Sequence, residues 1–258
     1  MAASPMRRIQ LDVTDSTNLR ARELAALHSG EPLLVSAAEQ TAGRGRQGRT
    51  WHSPRGGAWL TVVWPLSRGA QDYEGASLAA AVAVRRALCE LAPQECRGLE
   101  IKWPNDLLLA GGKVAGILCE QAALPGGGEA LLVGVGVNVD VDVSRLPSPA
   151  RHPPTSLAAH GARASVEAVV DAVGQHLAGV LQVVQQQGLG ALLGEFRQHM
   201  AYVGTVRTWT SPAGQVAGRV VGVDDAGRLL LASADGGGAV QAFASGEFTS
   251  ATGAGDEP

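Results

Sequence analysis

The stretch that most constrains this chain is Thr41-Ala42-Gly43-Arg44-Gly45-Arg46-Gln47-Gly48-Arg49-Thr50-Trp51, with three glycines and three arginines ahead of a tryptophan. It lies between two apolar runs, Leu33 to Ala38 and Trp59 to Trp64. Read literally, Gly43 to Gly48 matches the pattern G-x-G-x-x-G. That pattern requires a helix opening at its last glycine and an acidic residue roughly 20 positions on. Here the chain continues His52-Ser53-Pro54-Arg55-Gly56-Gly57, and a proline with paired glycines does not propagate a helix. The layout is strand, loop, strand, which excludes a dinucleotide-binding fold. The plainer alternative is a solvated basic loop. Guanidinium forks interleaved with glycines, which let the backbone approach a ligand, point instead to a flexible anion clamp.

A chain of 258 residues that is 45% hydrophobic can bury one large core plus a small one. Its net charge of −3 argues against a general nucleic-acid binder, so the arginine loop is a local feature. Cys89, Cys96 and Cys119 lack zinc spacing and are expected to be reduced thiols of a cytoplasmic protein. The N-terminus has no signal-peptide pattern, and the longest apolar run, near Leu78 to Val84, is too short for a bilayer, so no membrane association is expected.

Along the chain, Ile9 to Val13 predicts a strand, and Asp15-Ser16-Thr17-Asn18 precedes a helix over Leu19 to Leu27. Such residues cap helices, and a helix N-terminus can equally hold a small polar ligand. Tyr73 to Leu91 predicts an alanine-rich core helix, interrupted on its apolar face by Arg85. Three apolar runs with glycine turns follow: Ile101 to Leu109, Lys113 to Glu120, and Leu131 to Val139, reached through the connection at Pro125 to Gly128. They predict an antiparallel meander. Gly116, Gly134 and Gly136 inside these strands suggest either bulges and tight packing or an apolar ligand lying on the sheet. Lys102, Asn105, Asp106 and Lys113 punctuate them with polar groups. Pro104 marks an edge or bulge, Asn105 and Asp106 suit a turn, and Lys113 suits a solvated strand start. Together with the arginine loop they suggest phosphate chemistry.

Ser144 to Gly161 is a proline-rich loop, and Ser165 caps a helix whose apolar spacing runs until Gly188, with a shorter helix over Leu189 to His199. No histidine sits at ligand spacing, so no metal cage is expected. Beyond Tyr202, short strands at 205–209, 218–223, 229–231 and 240–243 with Asp- and Gly-rich turns at 224–227 and 235–238 predict a small five-stranded barrel. Ser250 to Pro258 forms a disordered tail.

Five segments carry a family resemblance. They are Asp15-Ser16-Thr17-Asn18, Gln40 to Trp51, Lys102-Trp103-Pro104-Asn105-Asp106, Gly112 to Leu118, and Gly134-Val135-Gly136-Val137-Asn138. In order and spacing the chain resembles bacterial biotin–protein ligases, and Ser245-Gly246-Glu247 resembles the end of their small C-terminal domain. The resemblance implies an α+β fold like that of class II aminoacyl-tRNA synthetases and biotin synthetases: a mixed sheet with helices on one side, followed by an SH3-like β-barrel. The implied domains are a catalytic one at 1–200, an SH3-like one at 201–250 and a tail at 251–258. The implied activity is ATP- and Mg²⁺-dependent: biotin becomes biotinyl-5′-AMP with release of pyrophosphate, and the acyl group then passes to a lysine of a biotin carboxyl carrier protein.

Carried over by motif, Ser16, Thr17, Asn18, Gln40, Arg44, Gly45, Arg46, Lys113 and Gly116 would bind biotin. Arg44, Arg46, Arg49, Trp51, Lys113, Asn105 and Asn138 would bind ATP and its phosphates. Lys113, Arg44 and Asp106 would be catalytic, with Asp106 orienting or deprotonating the acceptor lysine, and Pro153 to Leu157 would form part of the adenine site. Too little chain precedes Asp15 for the DNA-binding domain of the repressor forms, so no operator binding is expected; a homodimer is left open. Two alternatives stand beside this reading. Lipoate ligases share the fold and adenylation logic but use a serine- and glycine-rich phosphate loop. A non-enzymatic RNA- or protein-binding module would use the loop and barrel as a docking surface.

Overall fold

The computed structural model describes residues 6–27, 31–66, 73, 75–124, 128–147, 152–211, 214–234 and 238–248. The expected tail at 250–258 lies outside the described residues, as do most of the connections at 125–128 and 235–238. Strand β1 (Arg7–Thr14) leads through helix α1 (Thr17–Ala25) into β2 (Leu33–Gln40), which runs parallel to β1. The arginine loop then joins β2 to β3 (Gly57–Pro65), and α2 (Ala76–Leu91) follows. The predicted meander appears as β4 (Leu99–Lys102), β5 (Asp106–Leu109), β6 (Gly112–Ala123) and β7 (Glu129–Asn138). These pair antiparallel, and β7 also pairs with β3, closing a seven-stranded sheet of order β1-β2-β3-β7-β6-β5-β4.

The expected single run at Ile101 to Leu109 is a hairpin, because Pro104 has no N–H for a ladder. Asn105 lies in its turn, while Asp106 opens β5 as a buried residue. The register irregularity comes later, between Leu107 and Leu108.

Residues 131–138, Leu-Leu-Val-Gly-Val-Gly-Val-Asn, show how sequence sets the faces of this sheet. Alternate side chains of a strand point to opposite faces. Leu131, Val133, Val135 and Val137 join the main core with α2 and with α3 (Val166–Gln187). Leu132 packs the other way, in a smaller cluster with Leu33, Val35 and Val63 and with Ala21, Leu24 and Ala25 of α1. The expectation of helices on one side therefore holds for α2 and α3, while α1 lies across the sheet. Its Ala/Leu stripe can bury only against the alternate residues that α2 and α3 leave uncovered. Beyond α1 this face carries Gly134, Gly136, Asn138 and Gly116 in place of large side chains, and among the described residues no helix covers them.

Ser165 caps α3 by accepting from the Ala168 N–H at 3.1 Å, and Gly188 ends it with φ of +79°, as its sequence pattern requires. Helix α4 (Gly190–Gln198) leads to β8 (Val206–Ser211), β9 (Gly214–Val223), β10 (Leu229–Ser233), β11 (Gln241–Phe243) and β12 (Glu247–Phe248). They form a five-stranded antiparallel sheet of order β11-β10-β9-β8-β12 around Trp209, Val220, Leu229, Leu231 and Phe248. Trp103 ties the two sheets together: its Nε1 donates to the Gly227 carbonyl at 2.9 Å, and its ring meets Trp209 edge-on at 5.2 Å.

Candidate active site

A cleft of about 640 Å³ lies on the open face of the large sheet, between the start of α1, the arginine loop, the β4–β5 hairpin and the end of β12. One end is polar. Ser16 occupies the cap position of α1, yet its side chain makes no capping bond, which departs from the capping expected of it. Ser16, Thr17 and Asn18 are all buried and line the cleft. Gln40 Oε1 accepts from the Thr17 N–H at 2.7 Å, and Gln40 Nε2 donates to Ser53 Oγ at 2.7 Å. Thr61 Oγ1, from the middle of β3, lies 2.6 Å from Asn18 Oδ1 and 2.9 Å from Thr17 Oγ1. Asn18 Nδ2 donates to Glu120 at 2.9 Å.

The floor is made of the strand glycines, and the protein itself fills the space above them. A Cβ on Gly134 would stand 2.1 Å from Asn18 Oδ1, and one on Gly136 would stand 2.4 Å from Trp51 Nε1. At Gly116 the nearest Trp51 ring atom would be 2.9 Å away. Of the two explanations left open by the sequence, close packing of side chains on the sheet is the one seen. The Trp51 ring lies over the glycines, edge-on to Trp59, with Lys113 Nζ 5.0 Å from its centroid. Its indole N–H is buried without a partner.

At the middle of the cleft Asp106 is held between two lysines. Lys113 Nζ lies 2.7 Å from Oδ1 and Lys102 Nζ lies 2.8 Å from Oδ2, with only 10% of the Asp106 side chain exposed. Burial alone would push this carboxyl up; the Lys113 and Lys102 charges and their hydrogen bonds outweigh it and bring it down to about 2. Lys113 is thus no solvated strand start. It is bracketed by the proline-rich loop, donating its N–H to the Pro153 carbonyl at 2.9 Å and accepting from Thr155 N at 3.0 Å. Asn138 Nδ2 donates to the Thr155 carbonyl at 2.9 Å, and its Oδ1 is buried without a partner beside the same cleft.

The arginine loop is a folded hairpin. Trp51 N donates to the Gly43 carbonyl at 2.9 Å and Gly45 N to the Arg49 carbonyl at 2.7 Å, with Gln47 and Gly48 turning at φ of 57° and 73°. Gly43 has no room for a side chain, since a Cβ would stand 2.4 Å from the Trp51 carbonyl oxygen. Each arginine meets a different wall. Arg44 lies 4.0 Å from Glu120. Arg46 donates to Asn105 Oδ1 at 3.1 Å, whose amide in turn holds the Ile117 carbonyl at 2.8 Å. Arg49 donates to Glu247 of the small sheet at 2.7 Å, an ion pair that raises the arginine.

The cleft thus gathers Ser16, Thr17, Asn18, Gln40, Arg44, Gly45, Arg46, Arg49, Trp51, Asn105, Asp106, Lys113, Gly116 and Asn138, while of the stretch Pro153 to Leu157 only Pro154 lines it. The structure adds Glu247 to the lining and Thr61 and Glu120 behind it, and it sets Lys102, polar punctuation in the sequence, against Asp106. Thr61 and Glu120 are polar residues on the site face of otherwise apolar strands, a signal that needs the strand phase to be known. For Glu247 no local pattern pointed to the cleft. Among the described residues no group of His, Cys, Asp and Glu could hold a metal ion, and no helix is long and apolar enough to cross a membrane.

The Biotin/lipoate A/B protein ligase family matches residues 10–140, and the Biotin protein ligase C terminal domain matches residues 205–249. The bifunctional ligase/repressor BirA of Bacillus subtilis is 32% identical over 87% of this chain and 69% of that protein. The biotin–[acetyl-CoA-carboxylase] ligase of Paracoccus denitrificans is 36% identical over 84% of this chain and 91% of that one. The biotin protein ligase from Aquifex aeolicus, solved in complex with biotin and ATP, superposes with a TM-score of 0.77 at 26% identity, covering 94% of this chain and 97% of that one. A sheet floored by glycines, a doubled Gly-Arg hairpin above it and matches to both the catalytic and the C-terminal domain have one common source: the chain belongs to the biotin/lipoate A/B protein ligase family, among its biotin protein ligases.

Proposed function

We propose that this chain activates biotin with ATP and transfers it to the lysine of a biotin carboxyl carrier domain, using residues 1–200 as the catalytic domain and 201–250 as an SH3-like domain. The observation that carries the reading is the Lys102–Asp106–Lys113 cluster at the centre of a cleft with hydrogen-bonding groups at one end and three arginines above it. A carboxylate and a triphosphate repel one another, and cations fixed where they meet lower that barrier without reorganising.

In the first step an oxygen of the biotin carboxylate attacks the α-phosphorus of ATP, the bond to pyrophosphate breaks, and biotinyl-5′-AMP forms. Ser16, Thr17 and Gln40, with Asn18 behind them, receive the ureido head, and the ligand lies beside the Trp51 ring that packs over Gly116. Lys113 lies between carboxylate and α-phosphate. Arg44 and Arg46 close over them with Gly45, and Arg49 with Asn105 and Asn138 faces the nucleotide. Asn138 supports this with a buried, unpartnered Oδ1 suited to an N–H donor. Mg²⁺ arrives on the nucleotide as its counter-ion.

In the second step the carrier amine, in its neutral form, attacks the acyl carbon, the bond to AMP breaks, and the amine's surplus proton passes to solvent. Of the two roles considered for Asp106, orientation fits better than deprotonation. A carboxyl held at about 2 is a very weak base for an ammonium of ordinary pKa near 10.4. It serves to fix Lys113 and to attract the incoming lysine.

The test is exchange of labelled pyrophosphate into ATP with Mg²⁺, comparing biotin, lipoate and octanoate, which needs no carrier protein. Exchange with biotin alone is expected. Exchange with lipoate instead would move the chain to the sister ligases, and no exchange with any acid would refute the adenylation reading.

A further inference from the structure

We propose that Glu120 is a positioning residue: its carboxylate sets the direction of a hydrogen-bond chain through Asn18 and Thr61 that makes the Thr17 hydroxyl oxygen an acceptor facing the substrate's N–H. This deepens the ligase reading and rests on it for the identity of the substrate.

Glu120 follows Gly116 at even spacing on β6, so it points to the site face, opposite Leu132 on β7. A carboxylate there sits beside the apolar cluster under α1, a costly location unless its oxygens are engaged. They are: Asn18 Nδ2 donates at 2.9 Å, and the guanidinium groups of Arg22 and Arg44 lie at 3.9 and 4.0 Å. The space for Asn18 is created by Gly134, where any side chain would strike its amide.

Counting protons gives the direction of the chain. A carboxylate only accepts, so the Asn18 amide must turn its NH₂ towards Glu120 and its oxygen towards Thr61. Thr61 has one proton and must give it to Asn18 Oδ1 at 2.6 Å. The contact between Thr61 and Thr17 hydroxyls at 2.9 Å then needs the proton of Thr17. Gln40 Oε1, which accepts the Thr17 N–H at 2.7 Å, lies farther from the Thr17 hydroxyl, at 3.1 Å, and a proton shared with it is equally withdrawn from the cleft. Thr17 has no proton left to donate and presents a lone pair to the cleft. The pocket therefore selects a head group with an N–H at that point, as a cyclic urea has and a dithiolane lacks. Asn18, with its amide spent on Glu120 and Thr61, acts through this chain instead of gripping the ligand.

The test uses Glu120→Gln, Thr61→Val and the double variant of the full chain in pyrophosphate exchange. A neutral amide at 120 replaces the charged acceptor with a group that can also donate, leaving the 3.4 Å contact of Asn18 Nδ2 to the Leu118 carbonyl to orient the amide, and valine breaks the chain with the shape of threonine kept. Each single variant is expected to raise the KM for biotin about tenfold, the effect of one charge-assisted hydrogen bond. Because the head group is bound alike in ground and transition states, kcat should stay within about twofold. The double variant should be no worse than either single one. An unchanged KM in both single variants, a fall in kcat alone, or losses that multiply in the double variant would overturn the proposal. A wild type inactive with every acid would overturn the ligase reading instead. The ligand-free Asn18 side-chain amide resonance, identified by its loss in Asn18→Ala, then decides the chain: it should move in Glu120→Gln, and an unmoved resonance overturns the proposal whatever the substrate.

Discussion

Replacing Asp106 by asparagine tests the energetics of the central cluster directly. The substitution keeps the shape and removes the charge that Lys102 and Lys113 share, both of them largely buried at 12% and 28% side-chain exposure. Bringing the carboxyl from 3.8 down to about 2 corresponds to roughly 2.5 kcal/mol favouring the ionised form in the fold. Removing one partner of a buried ion pair costs about 3–5 kcal/mol, because the other charges remain. We therefore expect Asp106→Asn to destabilise the protein by about 2–5 kcal/mol at pH 7. Since the folded pKa lies below the unfolded one, this stabilisation is complete above the unfolded value and disappears as pH falls through the folded value. The gap between wild type and variant should be about half as large at pH 3 as at pH 7. Urea unfolding of both proteins at pH 7, 5 and 3, followed by tryptophan fluorescence, reads it, and the comparison cancels the other carboxylates. Equal stability at pH 7, or a gap that does not change with pH, would refute the cluster's electrostatics.

Gly134→Ala should raise the KM for biotin by at least about tenfold, because its Cβ strikes the Asn18 amide held on both sides; Gly116→Ala should be milder, since the Trp51 ring can shift. Pyrophosphate exchange with both variants gives the order, and the reverse order would count against the packing described. The Arg49–Glu247 pair, with Arg49 60% exposed, should show a coupling of about 0.5–1 kcal/mol in a double-mutant cycle of urea stability, weakening with added salt. A salt-insensitive coupling would be inconsistent with so exposed a pair. Arg46→Gly, which also frees Asn105 Oδ1, should release the acyl-adenylate and label bystander lysines; acceptor selectivity equal to wild type would argue against loop retention.

Much of the scaffold can be read locally. The α3 helix shows its start at Ser165, its stripe of valines and leucines and its stop at Gly188, and the strands of the meander show their glycine turns. The residues of the cleft were legible as motifs, but their roles were less so. Ser16 suits a cap and does not cap; the strand glycines suit either tight packing or a ligand and here make room for Trp51 and Asn18; Lys113 suits a solvated strand start and Asp106 a turn, and the two form a buried ion pair. In each case a residue's type and neighbours in the chain were clear, while its partner was not.

The sequence by itself determined the period-two strands, the capped helix, the strand–loop–strand setting of the arginine hairpin and hence the family. These depend on residues a few positions apart, whose spacing decides which face each occupies. Only the tertiary structure decided that α1 crosses to the far face, that Asn18 meets Glu120 across 102 positions and that Arg49 meets Glu247 across 198. Such pairings are fixed by sheet register and by the packing of separate elements, and a single residue's shift in register would turn Glu120 away from the site altogether.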